Sequence, residues 1–158
     1  MRSQYTDDSV ETRREAPRSR RKSGVRRSGM DDRNVQLPLK GKAVLVCEDS
    51  AIIALDCEAL LISLGASVVH IAATISQARA LIDAHIDLAL LDLNLNGNSA
   101  LPLADDLRAR GVPLIFVSGY TDILQTAERF ATAQAIAKPY SVKDLADACR
   151  KALAGADR

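Results

Sequence analysis

Short apolar runs alternate with longer amphipathic segments along most of the chain. Five runs rich in β-branched and other apolar residues, each bounded by polar or turn-forming residues, predict β-strands. They lie approximately at Lys42–Glu48, Ser67–Ala72, Leu88–Leu91, Leu114–Val117 and Ala135–Ala137. This alternation of strand-like and helix-like segments is typical of a parallel sheet covered by helices.

The segments between the strands have helical spacing and recognisable helix ends. After Ser50, apolar residues recur at helical intervals as far as Gly65, which suits the positive φ at a helix end. Thr74 and Ser141 each begin a capping-box pattern and predict the starts of the second and fifth helices. The third and fourth helices are predicted approximately over Ala100–Arg110 and Thr121–Ala131.

Five βα units within residues 41–158 predict an α/β fold of the flavodoxin-like, doubly wound type. Its five-stranded parallel sheet would have the strand order 2-1-3-4-5, with helices on both faces. In open sheets of this kind, ligands bind at the carboxyl ends of the strands. The residues that end each predicted strand are therefore the candidates for chemistry.

Composition narrows the class of protein. The 158 residues are 47% hydrophobic and 26% charged, as in an ordinary globular chain, and only 3% are aromatic. The longest uncharged stretch, residues 59–78, is broken by polar and turn residues and predicts no membrane helix. The basic N-terminus lacks the apolar run of a secretory signal, and the three cysteines have no zinc-site spacing. We therefore expect a cytoplasmic protein with reduced cysteines and no membrane partner.

The charge is divided unevenly along the chain. Residues 1–40 carry 11 Lys and Arg against 6 Asp and Glu, whereas residues 41–158 carry 10 against 14. Because the basic part has no apolar periodicity, we expect a disordered tail over residues 1–39 and one domain over residues 40–158. A solvated extension is the simplest interpretation, and nucleic-acid binding is not favoured. Met30 leaves open a later natural start of translation.

Charged and polar residues end four of the five strands. The first strand ends in Glu48 and Asp49, the third in Asp92, the fourth in Ser118 and the fifth in Lys138. Carboxylates crowded at one edge repel one another unless a hard cation with oxygen ligands holds them, and Mg²⁺ is the natural choice. An aspartate beside such a cation can attack a phosphoryl group, while a lysine and a hydroxyl neutralise the transferred oxygens.

Residues 42–154 resemble the receiver domain of two-component response regulators, the CheY-like family. The resemblance is carried by the acidic pair in Val44–Asp49, the aspartate in Leu91–Gly97, the hydroxyl residue Ser118 and the run Lys138–Pro139–Tyr140, in the correct order. It implies that Asp92 is the phosphoacceptor and that a histidine kinase or histidine phosphotransfer protein is the donor.

The resemblance also implies a Mg²⁺ site. Asp49, Asp92 and the Asn94 carbonyl would be ligands, and Glu48 would act mainly through water. Lys138 would pair first with Asp92 and then with the phosphoryl group. Ser118 would donate a hydrogen bond to a phosphoryl oxygen.

The aromatic switch residue of many receivers is missing. The position three residues before the strand-five lysine is usually Tyr or Phe, and here it is Ala135. The run Pro113–Tyr120 resembles the signature of the FAT GUY receivers, which place an aromatic residue after strand four. Tyr120 is therefore the predicted switch residue.

Two other functions compete with phosphoacceptor signalling. A phosphatase of the haloacid-dehalogenase class needs a second aspartate two residues after the nucleophile, where this chain has Asn94. A receiver-fold interaction module that is independent of phosphorylation remains the alternative.

Only four residues follow the predicted fifth helix, so we expect a stand-alone receiver. It would bind an unknown downstream protein in one phosphorylation state or act as a phosphate sink. It would have no enzyme activity beyond its own phosphorylation and dephosphorylation.

Overall fold

The computed structural model describes residues 37–119 and 129–156. Within them, eleven elements follow one another along the chain. They are β1 (Ala43–Cys47), α1 (Ala51–Ser63), β2 (Val68–Ala72), α2 (Ile75–Ala80), β3 (Leu88–Asp92), β4 (Asn94–Leu95), β5 (Asn98–Ser99), α3 (Leu101–Ala109), β6 (Leu114–Ser118), β7 (Gln134–Ala137) and α4 (Val142–Ala156).

Five of the strands form one parallel sheet in the order β2-β1-β3-β6-β7. β4 and β5 form a separate antiparallel pair, so the five main strands have the predicted order 2-1-3-4-5. The predicted flavodoxin-like fold is confirmed. Every residue of β1 and β6 is buried, which explains why these strands are continuous apolar runs rather than alternating ones.

Helices cover both faces of the sheet and enclose two hydrophobic cores. Successive residues of β1 point to opposite faces, so Val44 belongs to one core and Leu45 to the other. The first core also contains Leu61 of α1 and Leu145 of α4. The second contains Leu103 of α3, with residues of α2. Among the described residues, no helix is long and apolar enough to cross a membrane.

The predicted capping box at Ser141 is present, whereas at Thr74 the N-cap bond forms but the Gln77 side chain accepts from the Ala73 N–H instead of the Thr74 N–H. Thr74 Oγ1 accepts a hydrogen bond of 3.2 Å from the Gln77 N–H at the start of α2. At the start of α4, the Asp144 N–H donates to Ser141 Oγ at 3.2 Å, and the Ser141 N–H donates to Asp144 Oδ2 at 2.9 Å. Ser50 occupies the corresponding position before α1, but its side chain forms no capping bond.

Residues 37–39 correct the end of the predicted tail. Leu39 is fully buried in the first core, and its N–H donates to the Leu64 carbonyl at 3.0 Å. This segment and the following Lys40 pass close to Gly65, and a Cβ added to Gly65 would lie 3.0 Å from the Lys40 backbone. The predicted boundary after residue 39 was therefore placed too late, because Leu39 supplies burial that the basic run lacks.

Three predictions fall wholly or mostly on residues outside the described ranges. Tyr120 and most of the predicted fourth helix, Thr121–Ala131, belong to residues 120–128. The described end of that segment, from residue 129, forms a turn rather than a helix. Residues 1–36 of the predicted tail also lie outside the description.

Candidate functional site

Three carboxylates converge at the carboxyl edge of the sheet. Glu48 and Asp49 follow β1 directly, and Asp92 ends β3, the neighbouring strand. One oxygen atom from each of the three side chains lies within 4.8 Å of the other two. Glu48 is only 5% exposed, whereas Asp49 is exposed to solvent. The sequence-based expectation that these residues meet is therefore correct.

Lys138 joins two of these carboxylates. It follows β7, and its Nζ lies 2.6 Å from Asp92 Oδ2 and 2.7 Å from Glu48 Oε2. Partial burial by itself would lower the pKa of Lys138, but the hydrogen bonds and charges of Asp92 and Glu48 outweigh that effect and raise it. Lys138 is therefore a fixed positive charge between the buried carboxylate and the candidate acceptor.

The β4–β5 hairpin holds Asp49. The Asn96 N–H donates to Asp49 Oδ2 at 2.9 Å, and this bond is the main reason that the pKa of Asp49 lies below its ordinary value. Asn96 itself has a φ of 53°, and Gly97 follows with 80°. Positive φ at both central residues is what a tight type I′ hairpin turn requires. The hairpin thus places a backbone donor beside the acidic cluster.

The same hairpin also limits the freedom of Asp92. The Asn94 N–H donates to Asp92 Oδ1 at 3.0 Å, and Asn94 Oδ1 accepts from the Gly97 N–H at 2.8 Å. With Lys138 on Oδ2, each oxygen of Asp92 has one hydrogen-bond donor. The Asn94 carbonyl as a metal ligand remains a prediction.

Ser118 lies beside the lysine through strand pairing. It ends β6, is 3% exposed, and pairs with Ala137 of β7. Its carbonyl accepts a hydrogen bond of 3.0 Å from the Lys138 N–H. The backbone therefore brings the predicted hydroxyl residue and the lysine to the same edge, and a role for the hydroxyl remains a prediction.

At the position where many receivers have an aromatic residue, this chain has the exposed Ala135, which lies on the edge strand β7. Ala135 is opposite Phe116 in the β6–β7 register. Phe116 is buried on the sheet and contacts Phe130, with ring centroids 5.1 Å apart in an edge-to-face arrangement. The Arg108 guanidinium lies 4.9 Å from the centre of the Phe130 ring. Tyr120, the predicted switch residue, lies outside the described residues.

Sequence reasoning missed two contacts of the site. The bond from Asn96 to Asp49 was not predicted, although the dipeptide Asn96–Gly97 is a strong signal for a hairpin turn. The contact between Lys138 and Glu48 was not predicted either. No sequence pattern indicates that contact, because it depends on the conformation that the long Lys138 side chain adopts between Glu48 and Asp92.

The donor set suits a hard divalent cation. Three carboxylates against one lysine leave the cluster with an excess of negative charge. Oxygen ligands with this charge are the ones that Mg²⁺ prefers, whereas the described cluster offers no sulfur or imidazole ligand for a softer metal.

This chain belongs to the response regulator receiver domain family, which it matches over residues 44–150. The acidic cluster, the aspartate that ends β3 and the lysine after β7 all lie within the matched residues. Receiver domains serve two-component systems and phosphorelays, so the match places this chain in a family of signalling domains.

A curated relative supports the assignment of this chain to the receiver domain family. The chain is 34% identical to the phyllosphere-induced regulator PhyR of Methylorubrum extorquens over 114 residues, which cover 70% of this chain and 43% of that protein. The chain therefore spans less than half of the length of this curated relative.

Two solved structures are similar to this chain along nearly their whole length. The receiver domain of PhyR from Erythrobacter litoralis is 31% identical with a TM-score of 0.63, and the match covers 72% of this chain and 91% of that one. SdrG from Sphingomonas melonis is 32% identical with a TM-score of 0.59, over 76% and 98% of the two chains.

Proposed function

We propose that this chain accepts a phosphoryl group on Asp92 from a histidine kinase or a histidine phosphotransfer protein, in a Mg²⁺-dependent step in the cytoplasm. The observation that carries the proposal is the position of Lys138 Nζ, 2.6 Å from Asp92 Oδ2 within the cluster of three carboxylates. A lysine so placed lowers the cost of bringing an anionic phosphoryl group to an anionic nucleophile.

The reaction requires one new bond and one broken bond. A carboxylate oxygen of Asp92 attacks phosphorus, while the P–N bond of a phosphohistidine breaks and its electron pair returns to the imidazole. Asn94 N–H and Lys138 Nζ hold the Asp92 carboxylate in place, since each donates to one of its oxygens.

The cluster would also hold the cation. Asp49, Asp92 and the Asn94 carbonyl would bind Mg²⁺ directly, with Glu48 acting through water, and the bound cation would neutralise the phosphoryl oxygens. The Asn96 N–H bond keeps the pKa of Asp49 low, which keeps this ligand ionised.

Phosphorylation would change the contacts of two further residues. The product replaces one carboxylate by a larger dianion, to which Lys138 and Ser118 would turn. Their movement at the ends of β6 and β7 would bias the binding of a downstream protein, for which a difference of about 1 to 3 kcal/mol between the two states suffices. The same chemistry would also serve a phosphate sink, with self-dephosphorylation as the only further activity.

Acetyl phosphate provides a direct test. Incubation with acetyl phosphate and Mg²⁺ should add one phosphoryl mass, detected by intact-mass spectrometry. Asp92→Asn or a chelator should abolish it. The control Asp83→Asn changes a side chain that is 86% exposed and distant from the cluster, and it should leave uptake unchanged.

Two outcomes would contradict the proposal. Phosphoryl uptake that survives Asp92→Asn would show that Asp92 is not the acceptor. Uptake that survives chelation would show that the step does not require Mg²⁺. A folded protein that accepts no phosphoryl group from acetyl phosphate or from purified histidine kinases would be a phosphorylation-independent interaction module.

A further inference from the structure

A cavity lies at the amino edge of the sheet, where β6 and β7 begin. It is bounded by the end of α3, the start of β6, residues 130–134 and the end of α4, and we call it the α3–α4 cavity. Its volume is about 580 Å³, within the range of about 300 to 1,000 Å³ that is usual for small-molecule sites. None of the described residues that line it belongs to the acidic cluster.

Much of the wall of the α3–α4 cavity is apolar. Val112, Leu114 and Ala152 supply aliphatic surface, and Phe130 supplies one aromatic ring. Gly155 of α4 also lines the cavity, and a Cβ added there would meet no atom within 4 Å. An apolar molecule could therefore enter without displacing the wall.

The charged side chains of the wall are positive. Arg108 and Lys151 line the cavity, and its described lining contains no Asp or Glu. Lys151 forms no ion pair within the part of the chain that the structure describes. Asp147, one turn earlier in α4, is already paired with Lys143 and Arg150, each at 2.8 Å. Lys151 is thus a cation whose charge is available to a ligand.

Positive charge is also in excess on the α3 side. Arg108 and Arg129 both pair with the single carboxylate of Asp105. Their guanidinium groups lie 4.9 and 5.6 Å from the centre of the Phe130 ring, so positive charge borders the aromatic part of the wall. Together with Lys151, these residues bring three positive charges against one negative charge to the surroundings of the cavity, which favours an anion.

The same charges argue against other occupants. Residues 1–29 of this chain are rich in Arg and would meet charge of their own sign, as would a metal cation. The last carbonyls of α3 oppose an anion only weakly, because the N–H groups of Gly111 and Val112 already donate to them at 2.9 and 3.1 Å. An apolar wall with positive charge suits a molecule that combines an apolar body with an anionic group.

We propose that the α3–α4 cavity binds a small organic carboxylate. The apolar body would pack against Phe130 and the aliphatic wall, and the carboxylate would pair with Lys151. One cation without an ion pair suits a single negative charge. This ligand would contact the starts of β6 and β7, so its site is separate from the acidic cluster, and its binding does not depend on phosphorylation of Asp92.

Two probes with the same apolar body and opposite charge can test the proposal. 4-Phenylbutyrate or 4-phenylbutylamine is titrated into the whole chain, and amide chemical shifts are followed. 4-Phenylbutyrate should give saturable shifts in residues 111–114, 130–134 and 151–156, with a dissociation constant on the order of 1 mM for a probe of this size. 4-Phenylbutylamine should bind at least about tenfold more weakly. Inorganic phosphate, which has charge but no apolar body, should give no saturable shifts there.

Variants of the chain locate the binding site. Lys151→Gln keeps the length of the side chain without its charge and should weaken 4-phenylbutyrate binding at least about fivefold. Gly155→Leu should abolish the saturable shifts by filling the cavity, at a helical position where an added Cβ meets no atom. The matched control Lys40→Gln removes an exposed charge outside the cavity and should leave binding unchanged. Circular dichroism checks that each variant is folded.

Three results would overturn the proposal. These are the absence of saturable 4-phenylbutyrate binding, equal binding of the two probes, and binding that persists in folded Gly155→Leu. If Gly155→Leu does not fold, equal affinities of Lys151→Gln and Lys40→Gln for 4-phenylbutyrate would overturn it instead. All titrations are made without Mg²⁺ or a phosphoryl donor, so their outcome is separate from the test of Asp92 as the acceptor.

Discussion

The positive charge of Lys138 has two opposing effects on the acidic cluster. Its ammonium group neutralises Glu48 and Asp92 in the protein alone, and the same charge competes with any cation that binds there. Glu48 is 5% exposed, so a lost lysine leaves a buried carboxylate without its partner. One side chain therefore affects stability, metal affinity and phosphoryl uptake in different directions.

We predict that Lys138→Met raises the affinity for Mg²⁺ about 3- to 10-fold, because the cluster becomes more negative. Phosphoryl uptake from acetyl phosphate should fall sharply in the same variant, and the metal-free protein should be less stable. Calorimetric titration with Mg²⁺ and thermal melting with and without the cation measure these effects. Weaker Mg²⁺ binding in the variant would show that Lys138 organises the ligands rather than competing with the cation.

Asp87 stabilises the opposite edge of the sheet. Its Oδ2 accepts from the Ala43 N–H at 2.8 Å, and Lys42 and His85 lie within ion-pairing distance. Burial of Asp87 would raise its pKa, but the backbone bond and the nearby positive charges outweigh that effect and lower it. Because the folded-state pKa is lowered, the stabilisation is present above the ordinary value of 3.8 and is lost as the pH falls through the folded-state value.

Asp87→Asn should therefore cost about 1 to 2 kcal/mol of unfolding free energy at pH 7, and the cost should shrink in acid. Urea unfolding of the two proteins at pH 7 and below the ordinary aspartate pKa measures the difference. Asp83→Asn is the matched control. It breaks an exposed pair with Arg110 and should cost less than about 0.5 kcal/mol at either pH. A cost for Asp87→Asn that does not depend on pH would contradict the electrostatic explanation.

At the scale of elements, the turn after α1 depends on one glycine. Gly65 has a φ of 102°, which side chains rarely adopt, and an added Cβ would lie 2.9 Å from Leu37 Cβ and 3.0 Å from the Lys40 backbone. The turn can close because nothing projects from Gly65. It carries the chain from α1 into β2 and packs residues 37–40 against the domain.

Gly65→Ala should destabilise the protein by about 1 to 3 kcal/mol through backbone strain, with crowding in addition. Gly155→Ala provides the opposite expectation, since Gly155 lies in α4 with no atom within 4 Å of an added Cβ. That change should be neutral or stabilising by up to about 1 kcal/mol. Denaturant midpoints of the two variants compare them directly, and equal losses of stability would refute the conformational argument.

Burial patterns explain which elements were predictable. The three central strands, β1, β3 and β6, are apolar runs because both faces of the sheet are covered there, and they were recognised without knowledge of their neighbours. Helix starts at Thr74 and Ser141 were recognised because a capping box is local in sequence. The β4–β5 hairpin was missed, since its strands have two residues each and no periodicity can show in so short a run.

Part of the candidate site could be predicted from the sequence and part could not. Strand order places Glu48, Asp49 and Asp92 together, so their convergence followed from topology alone. The bridge from Lys138 to Glu48 and the bond from Asn96 to Asp49 depend on side-chain and hairpin geometry. Such contacts are set by distances of a few ångströms between segments that are far apart in sequence, which residue patterns do not encode.

At the scale of the whole molecule, the two ends of the sheet have separate functions. The carboxyl ends of the strands gather the charged groups of the receiver site, and the opposite edge is held by Asp87 and by residues 37–40. Leu39 belongs to this second group, because it is fully buried and donates a backbone hydrogen bond to Leu64. The segment just before β1 is therefore part of the folded domain and not of the tail.

The N-terminal sequence gives a sharp prediction about where the domain begins. Residues 1–29 are rich in Arg and lack apolar periodicity, and the receiver match starts only at residue 44. A chain that starts at Met30 should keep its free energy of unfolding within about 0.5 kcal/mol and its full phosphoryl uptake. A chain that starts at Lys40 should lose about 2 to 5 kcal/mol, because it lacks Leu39 and its packing. Urea unfolding and acetyl phosphate uptake of both truncations measure this contrast, and a large loss already at the Met30 start would mean that the basic segment stabilises the receiver.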